Sequence, residues 1–181
     1  STRNLAPSVG GIVVSGDVVH TKTELSPELV DMTQNFLRNL AEITHTIVMP
    51  GNHDCNLNNT DRMDSLTPLV KGANHERLYY IKNSGVFRFN NLTISVMGVF
   101  ENKSQYVQAD KLPPGIKVAI YHGTVNKSVT DLGHTFLSGN MDVEFFDGFD
   151  MVLLGDIHKT QCLQERSNDK PEVWYAGSAI Q

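Results

Sequence analysis

The stretch Met49-Pro50-Gly51-Asn52-His53-Asp54 sets an amide, an imidazole and a carboxylate in consecutive positions behind a glycine. Adjacent side chains diverge, so these three cannot all grip one ion. They can divide the work of a metal-assisted reaction between them. Three other places carry the same types beside glycine: Gly16-Asp17 with His20, His122-Gly123, and Gly155-Asp156-Ile157-His158. Carboxylate and imidazole suit Mn, Fe and Zn, and an amide oxygen adds a harder ligand. Two such ions sharing one carboxylate would clamp a phosphate and activate water. Taken singly, each residue has a plainer reading. A Gly-Asp after a strand is commonly a turn or cap. Asn52 alone reads as a turn residue, and His122 alone as a hydrogen-bonded histidine at a strand end. His45, His75 and His134 lack such a setting and read as surface or loop residues. What singles out the other eight is that they close four apolar runs in chain order.

Those runs are the elements that must position them. "GIVVS", "TIVM", "IKVAIYH" and "MVLLG" are short and apolar, as buried strands are, and each is followed closely by glycine. In α/β sheets ligands bind at the carboxyl ends of strands. Between the first two runs, Ser26 and Pro27 supply an N-cap and a first helical residue. Leu29, Met32, Phe36, Leu40 and Ile43 then recur at helical spacing, which predicts one apolar face. A shorter helix is expected over 62–70. "GVFRFNNLTISVMGVF" alternates about Asn90-Asn91 as a hairpin does. That hairpin is expected in a second sheet, away from the site. "EVWYAGS" reads as a last strand. The pattern is α/β, with sheets face to face and helices outside.

The composition sets bounds. At 181 residues the chain is one domain, large enough to bury a core without staples. A content of 40% hydrophobic and 19% charged residues is that of an ordinary globular protein. The net charge of −5 argues against a generally basic nucleic-acid coat, although bound divalent ions can reverse the field of a site. No apolar run approaches the ~18 residues of a membrane span. Two cysteines, Cys55 and Cys162, are too few for a disulfide framework, and a reducing compartment is expected. Four Asn-x-Ser/Thr sequons, at Asn58, Asn91, Asn102 and Asn126, read as incidental in an Asn-rich chain.

The motifs "GDVVH", "GNHD", "HG" and "GDIH" resemble those of the calcineurin-like metallophosphoesterases. The resemblance extends over essentially all 181 residues and is greatest to the SbcD-type nucleases of double-strand-break repair, viral and phage members included. His20, three residues after Asp17, favours that branch; the serine/threonine phosphatases of the superfamily carry Asp-Arg-Gly there. "WYAGS" resembles the Tyr-Pro-Gly-Ser strand of the same nucleases.

The resemblance implies a four-layer α/β/β/α sandwich over residues 1–181 and two divalent ions, Mn²⁺ first, with Mg²⁺ or Fe²⁺ as alternatives. Asp17 would bridge the ions. Asn52, His122 and Asp156 would hold the second, and His158 the first. His53 would protonate the leaving oxygen, Asp54 would orient His53, and His20 would contact the phosphate of the nucleic acid. DNA is the implied partner, with an SbcC-type ATPase beside it in a longer protein and a homodimer as a further possibility. The implied location is the cytoplasm, or the nucleus or viral factory for a eukaryotic virus.

Two departures bear on this. The family opens with Asp-x-His on its first strand, and none precedes "GIVVSGD". The chain is therefore expected to be a fragment lacking that strand and a C-terminal part, weak at the first metal. The last motif is Gly-Asp-x-His in place of Gly-His-x-His, which moves preference from Zn²⁺ toward Mn²⁺ or Mg²⁺. Two other functions fit the same residues: a small-molecule or cyclic-nucleotide phosphodiesterase, and a scaffold that has lost its metals. Metal content separates scaffold from enzyme. Activity on single-stranded DNA against bis-p-nitrophenyl phosphate separates the enzymes.

Overall fold

The computed structural model describes residues 10–20, 24–89 and 91–178. Two sheets pack face to face. The first is parallel, with β1 (Ile12–Ser15), β2 (Thr46–Met49) and β3 (Leu78–Tyr80) in that order. The second has six strands in the order β4 (Gly85–Phe89), β5 (Leu92–Met97), β6 (Ile116–His122), β7 (Met151–Gly155), β9 (Glu172–Tyr175) and β8 (Gln161–Gln164). Strands β5, β6, β7 and β9 run parallel, and the outermost β4 and β8 are antiparallel to their neighbours. The mixed α/β class expected from the sequence is the class observed.

Three apolar layers hold this together. Between the sheets, Ile47 and Met49 of β2 meet Ile94, Val96, Val118 and Ile120 of β5 and β6. Each such fully buried side chain contributes roughly 1.5–3 kcal/mol. Outside the first sheet, α1 (Pro27–Ile43) and α2 (Leu66–Ala73) cover Val48 with Leu37, Leu66 and Leu69. Outside the second sheet, Tyr121, Val152, Leu154 and Tyr175 are covered by Phe146, Phe149, Ala109 and Leu112. These come from loops and short 3-10 turns at Ala109–Lys111 and Val143–Phe146. Among the described residues this fourth layer holds no α-helix.

Helix α1 begins as its sequence dictates: Ser26 Oγ accepts from the Leu29 amide and Pro27 takes the first position. Its buried face differs from the expected one. Thr33, Leu37 and Ala41 are buried, whereas Met32 is 68% and Ile43 69% exposed. Helix α2 starts at Leu66, four residues later than expected, because the Asp64 carboxylate takes the Thr67 amide and closes a turn there. The hairpin β4–β5 forms as expected; Asn90 lies outside the described residues. It does not stand apart from the site strands, because β5 is bonded directly to β6. Only its turn is remote: Leu92 pairs with Ile116 at one end of β6, and His122 is at the other.

Candidate metal centre

The register fixes the site. Ser15 pairs with Met49, and His122 with Gly155, so β1 and β2 end together in one sheet and β6 and β7 end together in the other. Loops leaving these four ends meet across the gap. Gly16 turns there at φ 93°, and a side chain at that position would run into the His122 ring and the Gly51 backbone. A side chain at Gly51 would run into the Asp17 carboxylate. Both glycines therefore answer to the close approach of the loops. Asp17 and Asp156 themselves sit at φ 53° and 97°, conformations that non-glycine residues seldom adopt. The surrounding packing holds them there and turns both carboxylates into one space.

Ligand atoms from Asp17, His122 and Asp156 all lie within 4.8 Å of one another. His122 Nε2 is 3.4 Å from Asp17 Oδ2, 3.9 Å from Asp156 Oδ1 and 3.1 Å from Asn52 Oδ1. The opposite ring nitrogen, Nδ1, is 2.6 Å from the carbonyl oxygen of Ser15. A carbonyl only accepts, so Nδ1 carries the proton and a neutral ring presents the Nε2 lone pair to three oxygens. Such an arrangement needs a cation in its midst. Either a second proton on the ring or a divalent ion satisfies it. Burial disfavours a charged His122, but the hydrogen bond and charge of Asp17, the Ser15 carbonyl and Asp156 outweigh this and raise its pKa. Burial likewise opposes ionisation of Asp17; His122 and the His53 amide prevail and lower its pKa. Asp156 is raised, by burial first and by the charge of Asp17. One imidazole nitrogen and three oxygens, oriented from behind by a backbone carbonyl, fit a divalent ion.

His53 stands beside this cluster. Its backbone amide donates to Asp17 Oδ1 at 3.0 Å. Its ring stacks on that of His20, with centroids 5.4 Å apart and planes 16° from parallel. Both residues are exposed. Asp54 does something other than expected. Its carboxylate is wholly buried and accepts from the amides of Gly51 at 2.9 Å, Val19 at 3.0 Å and Val18 at 3.3 Å. It ties the β1 loop to the β2 loop and makes no hydrogen bond to the His53 ring. Burial, the largest influence on it, pushes its pKa up against those amides. His158 is exposed and lies outside the Asp17–His122–Asp156 cluster. The orienting Ser15 carbonyl had no sequence signal, because any residue offers one. Nor did the cleft of about 420 Å³ beside the cluster, lined also by Glu101, Asn102 and Lys103 of the loop after β5.

Comparison with known proteins agrees with this geometry. Residues 6–160 match the family model of the calcineurin-like phosphoesterases. The chain is also similar to the uncharacterized protein R555 of Acanthamoeba polyphaga mimivirus, at 40% identity over 181 aligned residues. That alignment covers 94% of this chain and 13% of the viral protein, so the chain spans a small part of the relative's length. A match over residues 6–160, together with carboxylates and a histidine gathered at the strand ends, is decisive: the chain belongs to the calcineurin-like phosphoesterases, metal-dependent hydrolases of phosphate esters.

Proposed function

We propose that this chain is a phosphodiesterase domain acting on DNA, of the SbcD-type nuclease branch. The observation that supports this best is the placing of His53. An imidazole stands at the exposed rim of a carboxylate cluster, its amide anchored to Asp17 and its ring stacked on His20. It lies within electrostatic reach of both Asp17 and Asp156. A ring held beside the cluster would be available to an ester bound there, and two exposed imidazoles side by side suit an anionic, extended substrate.

The roles follow. Asp17, Asn52, His122 and Asp156 would hold one divalent ion, and His158 with Asp17 a second. Ions held there would supply positive charge to the phosphate oxygens and polarise water. The water oxygen forms a bond to phosphorus and gives up a proton to solvent, the bond from phosphorus to the leaving oxygen breaks, and His53 gives that oxygen its proton. His20 fixes the plane of the His53 ring by stacking and meets the adjoining backbone of the substrate. Asp54 acts on the loops that carry Asp17 and Asn52, not on His53.

The test is Mn²⁺-dependent hydrolysis of a single-stranded oligonucleotide beside bis-p-nitrophenyl phosphate and a cyclic nucleotide. The proposal expects the oligonucleotide to be cleaved with the highest kcat/KM. Preference for the cyclic nucleotide would place the chain among small-molecule phosphodiesterases. Absence of bound metal would favour a scaffold.

A further inference from the structure

The cleft beside the metal centre brings chemically different groups together. Asn52, His122 and Asp156 line it, and so does Lys103. Among the described residues that line it, Lys103 is the one lysine or arginine. Leu57 and Met141 line the same cleft, giving it apolar surface. A nucleotide has this arrangement of chemistry: one phosphate, an apolar-faced sugar and base, and the next phosphate. We infer that Lys103 forms a second phosphate subsite, so that the site selects phosphodiesters carrying a neighbouring phosphate. The inference rests on the phosphodiesterase reading above and names the substrate feature that would distinguish a polynucleotide from a simple diester.

The lysine is held in place by its surroundings. It opens a 3-10 turn, Lys103–Gln105, whose start is closed by the Asn102 amide donating to Gln105 Oε1 at 3.0 Å and the Gln105 amide donating to the Asn102 carbonyl at 2.8 Å. The Tyr106 hydroxyl lies 2.9 Å from the carbonyl oxygen of Gly98 and 3.0 Å from that of Glu101, pinning the loop on both sides. Lys103 Nζ sits 4.9 Å from the centroid of the Phe145 ring. That contact orients the ammonium and leaves its remaining N–H donors exposed. The cleft also holds a carboxylate, Glu101, whose negative charge is partly offset by donors of its own. It is turned onto the Ser84 amide and hydroxyl, at 2.9 and 2.7 Å, and onto the Asn83 side chain at 2.8 Å. These donors hold its pKa down against burial and absorb its acceptor capacity.

The experiment is equilibrium binding, by calorimetry in Mn²⁺, of thymidine 3′,5′-bisphosphate and of the 3′- and 5′-monophosphates. Wild type should bind the bisphosphate about tenfold more tightly than either monophosphate, the equivalent of ~1.4 kcal/mol. Lys103→Ala should bring the three ligands within about twofold of one another, and Lys103→Arg should keep the preference. Matching urea midpoints show that the variants fold. Equal affinities in wild type, or a preference that survives in Lys103→Ala, overturns the subsite. Bis-p-nitrophenyl phosphate has a single phosphate, and its hydrolysis tests the parent reading separately. Wild type inert toward it sinks the phosphodiesterase assignment, whereas a Lys103→Ala variant equally impaired on it and on an oligothymidylate sinks the subsite alone.

Discussion

His122 Nδ1 lies 2.6 Å from the carbonyl oxygen of Ser15, so the last residue of β6 is bonded to the last residue of β1 across the two sheets. One imidazole thus joins the layers and faces the metal centre. His122→Ala should lower stability by about 2 kcal/mol, since it strips a buried hydrogen bond and leaves a hole. It should also abolish tight Mn²⁺ binding. Urea unfolding and calorimetry read the two effects separately. An unchanged urea midpoint would show that the inter-sheet bond contributes nothing.

The donor set itself predicts stoichiometry and selectivity. Asp17, Asn52, His122 and Asp156 supply three oxygens and one nitrogen to one position. The 181-residue chain should bind about one Mn²⁺ tightly, with His158 supporting at most a weaker second ion. Asp156→His trades an oxygen donor for nitrogen and should move the competition between Zn²⁺ and Mn²⁺ toward Zn²⁺, on the order of tenfold. Two equally tight Mn²⁺ sites would contradict this ligand count.

His53 presents only its amide to Asp17, through a bond that any residue at that position keeps. His53→Ala should therefore leave Mn²⁺ affinity nearly intact and cut turnover by roughly 10²–10⁴-fold, as loss of a general acid does. Parallel loss of metal and activity would make the ring a ligand.

Asp54 should behave as a structural residue. Asp54→Ala strands the amides of Gly51, Val18 and Val19 inside the protein. A loss of about 2–3 kcal/mol or more is expected from two unsatisfied buried donors, Gly51 and Val19, and a part-buried one, Val18. If the variant melts like wild type and only turnover suffers, the carboxylate serves catalysis after all.

The acid limb of stability should carry the signature of Asp64. Burial alone would raise its pKa. Hydrogen bonds from Tyr80 and Thr67, together with Lys82 at 3.2 Å, outweigh burial and lower it below the ordinary 3.8. A depressed folded-state pKa contributes stability that is complete above the unfolded value and disappears as pH falls through the folded one. Asp64→Asn should thus be less stable than wild type near neutrality and converge on it as pH falls below 3.8 through the lowered folded-state value. Urea midpoints between pH 7 and 2 measure the gap, and a gap that stays constant would remove Asp64 from the account.

The strand ends and the first helix cap were legible because they are local. Gly16-Asp17, Gly51-Asn52 and Gly155-Asp156 announce tight exits, and Ser26-Pro27 announces a helix. The buried face of α1 was not legible. Large apolar residues lie on both flanks of the helix, and periodicity favours Met32, Phe36 and Ile43 by size. Packing instead selects Thr33, Leu37 and Ala41, whose small members permit close approach to the neighbouring layer. Strands β3 and β8, of three and four residues, are too short to show alternation. The Asp54 contact was misread because adjacency in "NHD" suggests a carboxylate–imidazole pair. Only the turn geometry reveals that the carboxylate folds back onto main-chain amides.

The left-handed backbone at Asp17 and Asp156 places stability and function in opposition. A residue held in a sparsely populated conformation stores on the order of 1–3 kcal/mol. Glycine at either position would release that strain and lose the ligand in the same step. Selection for a sturdier fold alone would therefore act against the two carboxylates of this site.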